Sequence, residues 1–409
     1  MLIGGPVRPT EAADTRIIPT VSLREDYNDN LFFTSEEEEE DYITTLTAGL
    51  IFFSRSERSR IDLSGAVAPF FYRDHNSLNE TDADCRAAAM YRLTPVVSMN
   101  LNGTMEIDHR PDRDIDSTGL VFSTDRRDRY HARAQTNLAL NETNGLEMAY
   151  DYDQDNWHDE LSDRLDYDGH AVRLGYLYDI GPRLHVTQLT IDAGHGRYSY
   201  DTARMNSSYL SIGANRMLDE LLRVRAYGGA RYTDMEYDLV PEGASSDEMR
   251  ENKSWNALGG IKMEYLGART RCGLTLSHDL RPTSGTQGPS NLTRGILNVS
   301  RRLQEKFALG FSAGYFMNRA KADEYFADEI EQDTLSLRPY LRWQFFEHFA
   351  LEGAYGYTAL DDRTTDERTK RHTLYVQITF GYSLLDYLDV IASSDRLEYG
   401  GAYPRPSLR

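Results

Sequence analysis

Apolar side chains recur at every second position in stretches of about a dozen residues along nearly the whole chain. The clearest stretch covers residues 373–384, where Leu374, Val376, Ile378 and Phe380 alternate with polar or small residues. Because successive side chains of a β-strand point to opposite faces, this period of two predicts strands with one apolar and one polar face. The pattern indicates an all-β protein.

The alternation predicts about eighteen strands, within a range of about 16 to 20, over residues 17–384. Short connections such as 94–95 and 304–305 alternate with long polar ones such as 110–127 and 201–206. Short turns at one end and long loops at the other are typical of bacterial outer-membrane barrels. We therefore predict a closed transmembrane antiparallel up-and-down β-barrel in the bacterial outer membrane. Pro69 and Pro339 are expected at bulges or at ends of pairing, because proline cannot donate to the ladder.

The hydropathy of the chain is low, with a mean of -0.59. No run of about 18 apolar residues is present, which excludes membrane-spanning helices. The search for long apolar runs does not detect barrel strands, because half of their residues face a polar lumen. No linker-like shift in composition divides the chain, so one folded domain is expected. The predicted division is a signal remnant or N-terminal lead at 1–16, the barrel at 17–384, and a periplasmic tail or extra strand at 385–409.

The first residues of the chain lack the basic region and the long apolar region of a secretory signal. The small residues Ala12 and Ala13 before Asp14 fit the remnant of a cleavage site. An outer-membrane location therefore implies that the signal has been removed or that the true start lies upstream.

The formal net charge of -20 argues against a nucleic-acid partner. Acidic runs, such as residues 36–41 and 361–367, fall in or beside predicted loops. They are expected to form a solvated surface, with divalent cations bridging them to lipopolysaccharide as the alternative. The two cysteines, Cys85 and Cys272, form neither a disulfide framework nor a metal cluster.

Three motifs could suggest chemistry, and each has a simpler interpretation. Residues 310–314 match G-x-S-x-G around Ser312, but this pattern needs a strand-to-helix turn and here lies within a predicted strand. His195, near Asp192, is expected at the outer rim of a strand. The D-x-D-x-D spacing of residues 151–155 lacks the glycine and glutamate of a calcium loop. The sequence predicts no enzyme, no catalytic residue, no cofactor and no metal.

The predicted inner face is rich in arginine and also carries carboxylates. One interpretation is that opposite charges pair across the wall, and the other is that a positive stripe near residues 223–231 and 338–342 binds anionic solutes. The candidate lumen-lining residues are Arg133, Arg173, Arg223, Arg225, Arg231, Arg338, Arg342, Glu106, Asp108 and Glu352, with Arg271, Asp62 and Glu147 on the same predicted face.

Residues 19–32, with the run Ser22-Leu23-Arg24-Glu25-Asp26-Tyr27-Asn28-Asp29-Asn30-Leu31-Phe32, carry a family resemblance. The run resembles the start of outer-membrane β-barrel porins associated with exopolysaccharide secretion in Gram-negative bacteria. The resemblance implies a passive conduit for exported polysaccharide that works with periplasmic export proteins. The residues after the final predicted strand depart from that family, whose barrels usually end on a terminal aromatic residue.

Two alternatives within the same fold stay open. The first is a diffusion porin for small solutes, including anionic ones, which would be marked by a loop folded into the lumen, with 110–127 and 239–252 as candidates. The second is a barrel that sheathes a partner or plug protein.

Overall fold

The computed structural model describes residues 14–110, 114–115, 119, 125–158, 166–180, 187–200, 203–237, 250–281, 289–320 and 329–381. The predicted loop 239–252 falls mostly outside these ranges, as do most of the predicted lead and the whole predicted tail. Within the described ranges, the one helical element is a 3₁₀ turn at Asn76–Leu78. No helix in those ranges is long and apolar enough to cross a membrane.

Eighteen strands make up almost all of the described chain. They are β1 Asp14–Asn28, β2 Asp41–Arg55, β3 Ser59–Tyr72, β4 Glu80–Arg92, β5 Val97–Asp108, β6 Arg127–Ala139, β7 Asn144–Trp157, β8 Tyr167–Asp179, β9 Thr187–Tyr200, β10 Ala203–Met217, β11 Leu222–Tyr237, β12 Arg250–Leu266, β13 Thr270–Arg281, β14 Ser290–Gln304, β15 Phe307–Ala320, β16 Ile330–Phe346, β17 Phe349–Asp362 and β18 Glu367–Phe380.

The strands form one closed antiparallel sheet. Each strand pairs with the next along the chain, and β1 closes the ring by pairing with β18 from Val21–Phe380 to Asn28–Thr373. This is the predicted up-and-down barrel with the predicted strand number. Closure leaves the sheet without the free edges that would otherwise have to be hidden from lipid.

The two faces of the wall differ as the alternation predicts. On β18, Leu374, Val376 and Ile378 are exposed on the outside, and on the paired β1 so are Val21 and Leu23. The residues that alternate with them, such as Ser22 on β1 and Gln377 on β18, are mostly polar and face the lumen. An apolar outer belt around a polar interior suits a barrel surrounded by lipid, in agreement with the predicted outer-membrane location.

The two prolines that opposed the strand pattern lie at interruptions of a ladder. Pairing of β2 with β3 skips from Thr45–Phe70 to Ala48–Val67, beside Pro69. Pairing of β16 with β17 skips from Leu337–Tyr357 to Tyr340–Ala354, beside Pro339. The prolines therefore sit at local gaps inside strands, and neither ladder changes register there.

Two connections predicted as long loops are shorter, because the strands extend into them. β9 reaches Tyr200 and β10 begins at Ala203, inside the predicted loop 201–206, and β18 begins at Glu367 rather than residue 371. The cause at β10 is that Met205 is apolar but faces inward, where it packs against Met235. An apolar residue on the lumen side breaks the alternation of apolar outward and polar inward residues that predicts the strands. β18 also ends at Phe380, and β1 starts at Asp14, before the predicted start at residue 17.

Candidate functional site

The lumen is the candidate site, and the strand registers place all the predicted lining residues on its wall. Each belongs to the set of alternate positions opposite the exposed apolar ones. In the order of the strands they are Asp62, Glu106, Asp108, Arg133, Glu147, Arg173, Arg223, Arg225, Arg231, Arg271, Arg338, Arg342 and Glu352.

One side of the lumen carries most of its carboxylates. We call this side the acidic arc and define it by the inward-facing acids of β3 to β9: Asp62, Glu80, Asp82, Asp84, Glu106, Asp108, Glu147, Asp151, Asp153, Asp155, Asp179 and Asp192. Many of them have a cation on the same wall. Arg60 lies 2.5 Å from Asp62, Arg133 lies 3.4 Å from Asp151, and Arg173 contacts Glu147. Part of the negative charge of the acidic arc is therefore offset by its own arginines.

The opposite side is dominated by guanidinium groups. We call it the basic arc and define it by the inward-facing cations of β11 to β16: Arg223, Arg225, Arg231, Lys262, Arg271, Arg281, Arg294, Arg302, Arg338 and Arg342. The acids on these inner faces, within the described residues, are Glu264 and Asp279. Asp279 accepts hydrogen bonds of 2.9 Å from both Arg231 Nε and Nη2. This wall keeps an excess of positive charge.

A segment between β5 and β6 joins these two sides. We call Asp114, Ile115 and Gly119 the lumen bridge. The Gly119 amide donates to the carbonyls of Asp114 and Ile115, over 3.3 and 3.2 Å. Its carbonyl accepts a 2.6 Å hydrogen bond from Thr334 Oγ1 on β16. Strands β7 to β15 separate β6 from β16 on one side of the ring, and β17, β18 and β1 to β5 on the other, so the bridge connects nearly opposite walls.

The bridge is anchored on β6 by buried ion pairs. The Arg127 side chain is 2% exposed, contacts Asp114, and donates from Nε to Asp155 Oδ1 over 2.7 Å. Its guanidinium also lies 5.0 Å from the centroid of the Trp157 ring. Arg129 donates to Asp114 over 3.0 Å. Buried charges need such partners, because removing them from water is costly.

The far end of the bridge depends on a glycine. Gly119 has φ +75°, a left-handed conformation that other residues adopt at a cost. A Cβ added there would lie 2.5 Å from Phe316 Cβ and 3.0 Å from Thr334 Cβ. Phe316 and Thr334 are both fully buried, so neither can move aside into solvent.

The motifs that suggested chemistry have structural contacts. Ser312 lies inside the straight strand β15 and donates a 2.8 Å hydrogen bond to Asn298 on β14. His195 lies on the outer face of β9, with Nδ1 2.9 Å from Ser208 Oγ. Within the described ranges, no group of three or more His, Cys, Asp or Glu side chains could hold a metal ion.

Each carboxylate of the acidic triple of β7 has a basic side chain as a partner. Asp151 pairs with Arg133, and Asp153 lies 2.7 Å from His131 Nδ1. Asp155 receives Arg127, as described above. The triple therefore belongs to the wall of the acidic arc and not to an acidic loop.

The lumen bridge and its anchors Arg127, Arg129 and Thr334 were not among the predicted lining residues. A signal for two of them was present, because Arg127 and Arg129 continue the alternation of Arg133 and His131. The predicted strand 128–140 already contains Arg129 on the same face as Arg133, and extending it by one residue would add Arg127. The contact of Gly119 with Thr334 joins residues 215 positions apart, and no local pattern reports it.

We call the end of the barrel that carries the long connections the outer end. A contact there holds the loop after β1 against the loop after β3. The Asp41 carboxylate accepts the amide hydrogens of Arg73, Asp74 and His75, and lies 2.7 Å from His75 Nδ1. Glu39 lies 2.6 Å from the other ring nitrogen, His75 Nε2. The hydrogen bond to Asp41, followed by that to Glu39, raises the pKa of His75. We call these three residues the loop clasp.

Comparisons with known proteins give distant likenesses. No protein-family model and no curated protein sequence matches the chain. Among solved structures, it is similar to OccK9 (OpdG) of Pseudomonas aeruginosa, with a TM-score of 0.45, 10% identity and coverage of 90% of this chain and 99% of that one. It is also similar to OccAB3 of Acinetobacter baumannii, with a TM-score of 0.43, 10% identity and coverage of 90% and 100%. Likenesses this distant say nothing about the solute.

Proposed function

We propose that this barrel is a passive diffusion channel for small anionic solutes. The observation that supports it best is the uneven charge of the lumen wall. Arginines of the basic arc outnumber the acids beside them, while the acidic arc has its own arginines. A solute carboxylate or phosphate would move from one guanidinium to the next, because the planar fork of arginine suits both groups.

Weak, repeated binding along a wall suits diffusion through a channel. A solute must bind well enough to enter and weakly enough to leave. A series of arginines at different depths on β11 to β16 meets this need better than one deep pocket would. The proposal needs no catalytic group and no bound cofactor.

The lumen bridge favours a small-solute channel over a polysaccharide conduit, the function that the sequence resemblance implies. A wide barrel of eighteen strands could hold a polymer if its lumen were clear. The buried residues Asp114, Ile115 and Gly119, tied to nearly opposite walls, occupy part of the outer end of that lumen. Small solutes can pass beside these residues more easily than a continuous chain of sugars.

The proposal is tested by single-channel recording of the refolded protein in a planar bilayer. Under a KCl gradient, we expect a reversal potential that indicates anion preference. The double variant Arg231→Glu/Arg338→Glu should move this potential toward cation preference, because it reverses two charges of the basic arc. Each single variant, Arg231→Glu and Arg338→Glu, should give part of this shift, and their matched control is Arg58→Glu, the same charge reversal in an exposed turn outside the lumen.

Two results would count against the proposal. Cation preference in the unmodified protein would contradict the role of the basic arc. A large conductance that neutral oligosaccharides block reversibly, without anion preference, would favour the polysaccharide conduit instead.

A further inference from the structure

The inner wall at the end of the short turns holds a cleft whose chemistry differs from the rest of the basic arc. Its rim carries Arg269, Arg271, Arg302 and Arg342, and Tyr340 lines it as well. Arg269 lies in the turn between β12 and β13, and the others lie on the inner faces of β13, β14 and β16. Elsewhere in the basic arc the arginines lie along individual strands, whereas these four arginines surround one space.

The registers show why a space exists between these side chains. Arg302 pairs with Ala308, and Ala308 pairs with Arg342, so a small residue separates two arginines in one row. Neighbouring strands lie about 4.8 Å apart, so the two arginines start roughly 10 Å from each other. The Arg302 side chain can reach toward an anion above Ala308, while Arg342 borders the same space from a position fixed by its hydrogen bonds to Glu352.

The next row toward the outer end repeats this arrangement. Arg271 pairs with Ser300, Ser300 with Gly310, and Gly310 with Tyr340. A Cβ at Gly310 would overlap the Tyr340 ring, so this ring lies flat across the glycine. Ser300 and Ala308 form a small-residue floor, and the larger side chains stand around it.

Arg302 is the distinctive group of the cleft. Its Nε is buried and has no hydrogen-bond partner among the residues that the structure describes. The pairing of β14 with β15 shifts between Arg302 and Gln304, and such bulges change the direction in which a side chain points. A buried donor without a partner is costly, so a small shift of this side chain that brings Nε to a ligand oxygen in the cleft would relieve the cost.

We propose that this cleft, which we call the arginine cradle, binds a tetrahedral oxyanion of the phosphoryl class. Several guanidinium forks around one floor can meet the separate oxygens of a phosphate from different sides, which a planar carboxylate cannot use as fully. Arg342 also contacts Glu352, which holds its side chain in place. The inference extends the proposed function, because it names phosphorylated solutes as a class retained at the turn end of the lumen.

Binding of inorganic phosphate to the detergent-solubilised full chain tests the cradle, measured by titration calorimetry at constant ionic strength. Arg302→Ala should weaken binding by about tenfold or more, because it removes charge-assisted hydrogen bonds to the anion. Arg302→Lys should recover part of this loss. Ala308→Leu, which fills the floor and keeps every charge, should weaken binding as well.

The matched control is Arg55→Ala. Arg55 is an inward-facing arginine at the same end of the barrel, on β2 and away from the cradle. Its removal should leave phosphate binding unchanged. Equal losses in Arg302→Ala and Arg55→Ala, or no phosphate binding by the unmodified chain, would overturn the inference.

The same variants separate this inference from the proposed function. Anion preference in the bilayer without phosphate binding would refute the cradle and leave the channel proposal standing. Phosphate binding that Arg302→Ala abolishes, in a barrel without anion preference, would support the cradle and refute the channel proposal.

Discussion

The acidic and basic arcs are made of the same kind of wall but use their charges differently. Both consist of antiparallel strands with alternate residues in the lumen. In the acidic arc, arginines such as Arg127 and Arg133 are committed to carboxylates of their own wall. In the basic arc, arginines outnumber the acids. The arginines of the acidic arc therefore mainly stabilise the wall through ion pairs. The basic arc keeps an excess of positive charge that a solute can contact.

This difference separates the two explanations that the sequence left open for the inner arginines. Pairing within the wall explains the acidic arc, and an anion-binding surface is our proposal for the basic arc. Each interpretation applies to a different part of the ring. Variants in the two arcs should therefore change different properties of the protein.

The largest effect should come from the anchor of the lumen bridge in the acidic arc. Arg127→Met leaves Asp155 and Asp114 buried with one cation fewer, and should lower the free energy of unfolding by about 3–5 kcal/mol. Urea titration of the barrel, followed by tryptophan fluorescence, measures the change. Arg126→Met, in the neighbouring and more exposed pair with Asp128, should cost about 0–1 kcal/mol. Equal costs would contradict a special role for the buried anchor.

The next effect should come from the far end of the bridge. Gly119→Ala places a Cβ against Phe316 and forces alanine into a left-handed conformation, at a cost of about 1–3 kcal/mol. The bridge should detach from β16, and single-channel conductance should rise. Gly273→Ala is the control, because a Cβ there meets nothing within 4 Å. An unchanged conductance in Gly119→Ala would show that the bridge does not narrow the path.

Single charge changes in the two arcs should have smaller effects, which shift the ion preference of the channel in opposite directions. Arg294→Gln removes one charge from the basic arc, and Asp192→Asn removes one from the acidic arc. The reversal potential under a KCl gradient should move toward cation preference in the first and toward anion preference in the second. Shifts in the same direction would refute the division into two arcs. Raising the salt concentration should reduce both shifts, because salt screens charges in water.

The smallest effect should come from the loop clasp, which lies outside both arcs. Because the pKa of His75 is raised, protonated His75 contributes fully below the ordinary histidine pKa of about 6.5. This contribution should be lost as the pH rises through the raised pKa. Protease cleavage in residues 29–40 should accelerate over that rise. His75→Gln should remove the pH dependence, and His348→Gln, in a turn at the opposite end, should keep it.

The strand pattern is predictable from the sequence because it depends on local alternation. Residues such as Leu374 and Val376 report their own orientation, and pairing of successive strands follows from short turns. The same logic placed Arg133, Arg225 and Glu352 on the inner face. It failed at the outer ends of strands, where Met205 is apolar and faces inward, so that β10 begins earlier than the alternation suggests.

The site was less predictable because it depends on contacts between distant segments. The sequence marks residues 110–127 as a candidate constriction, but gives no sign that Gly119 meets Thr334. The arginine cradle is hidden for a similar reason. Arg271, Arg302 and Arg342 belong to different strands, and they come together only through small residues at Ser300, Ala308 and Gly310.

The lumen bridge also has a mechanical consequence. A hollow barrel wall can flatten or widen as the surrounding bilayer presses on it, and strands far apart on the ring resist this only through the sheet between them. A tie between β6 and β16 acts as a strut across the opening at its outer end. The cross-section there should fluctuate less than at the end of the short turns. The electrical resistance of the outer mouth should therefore vary less with time.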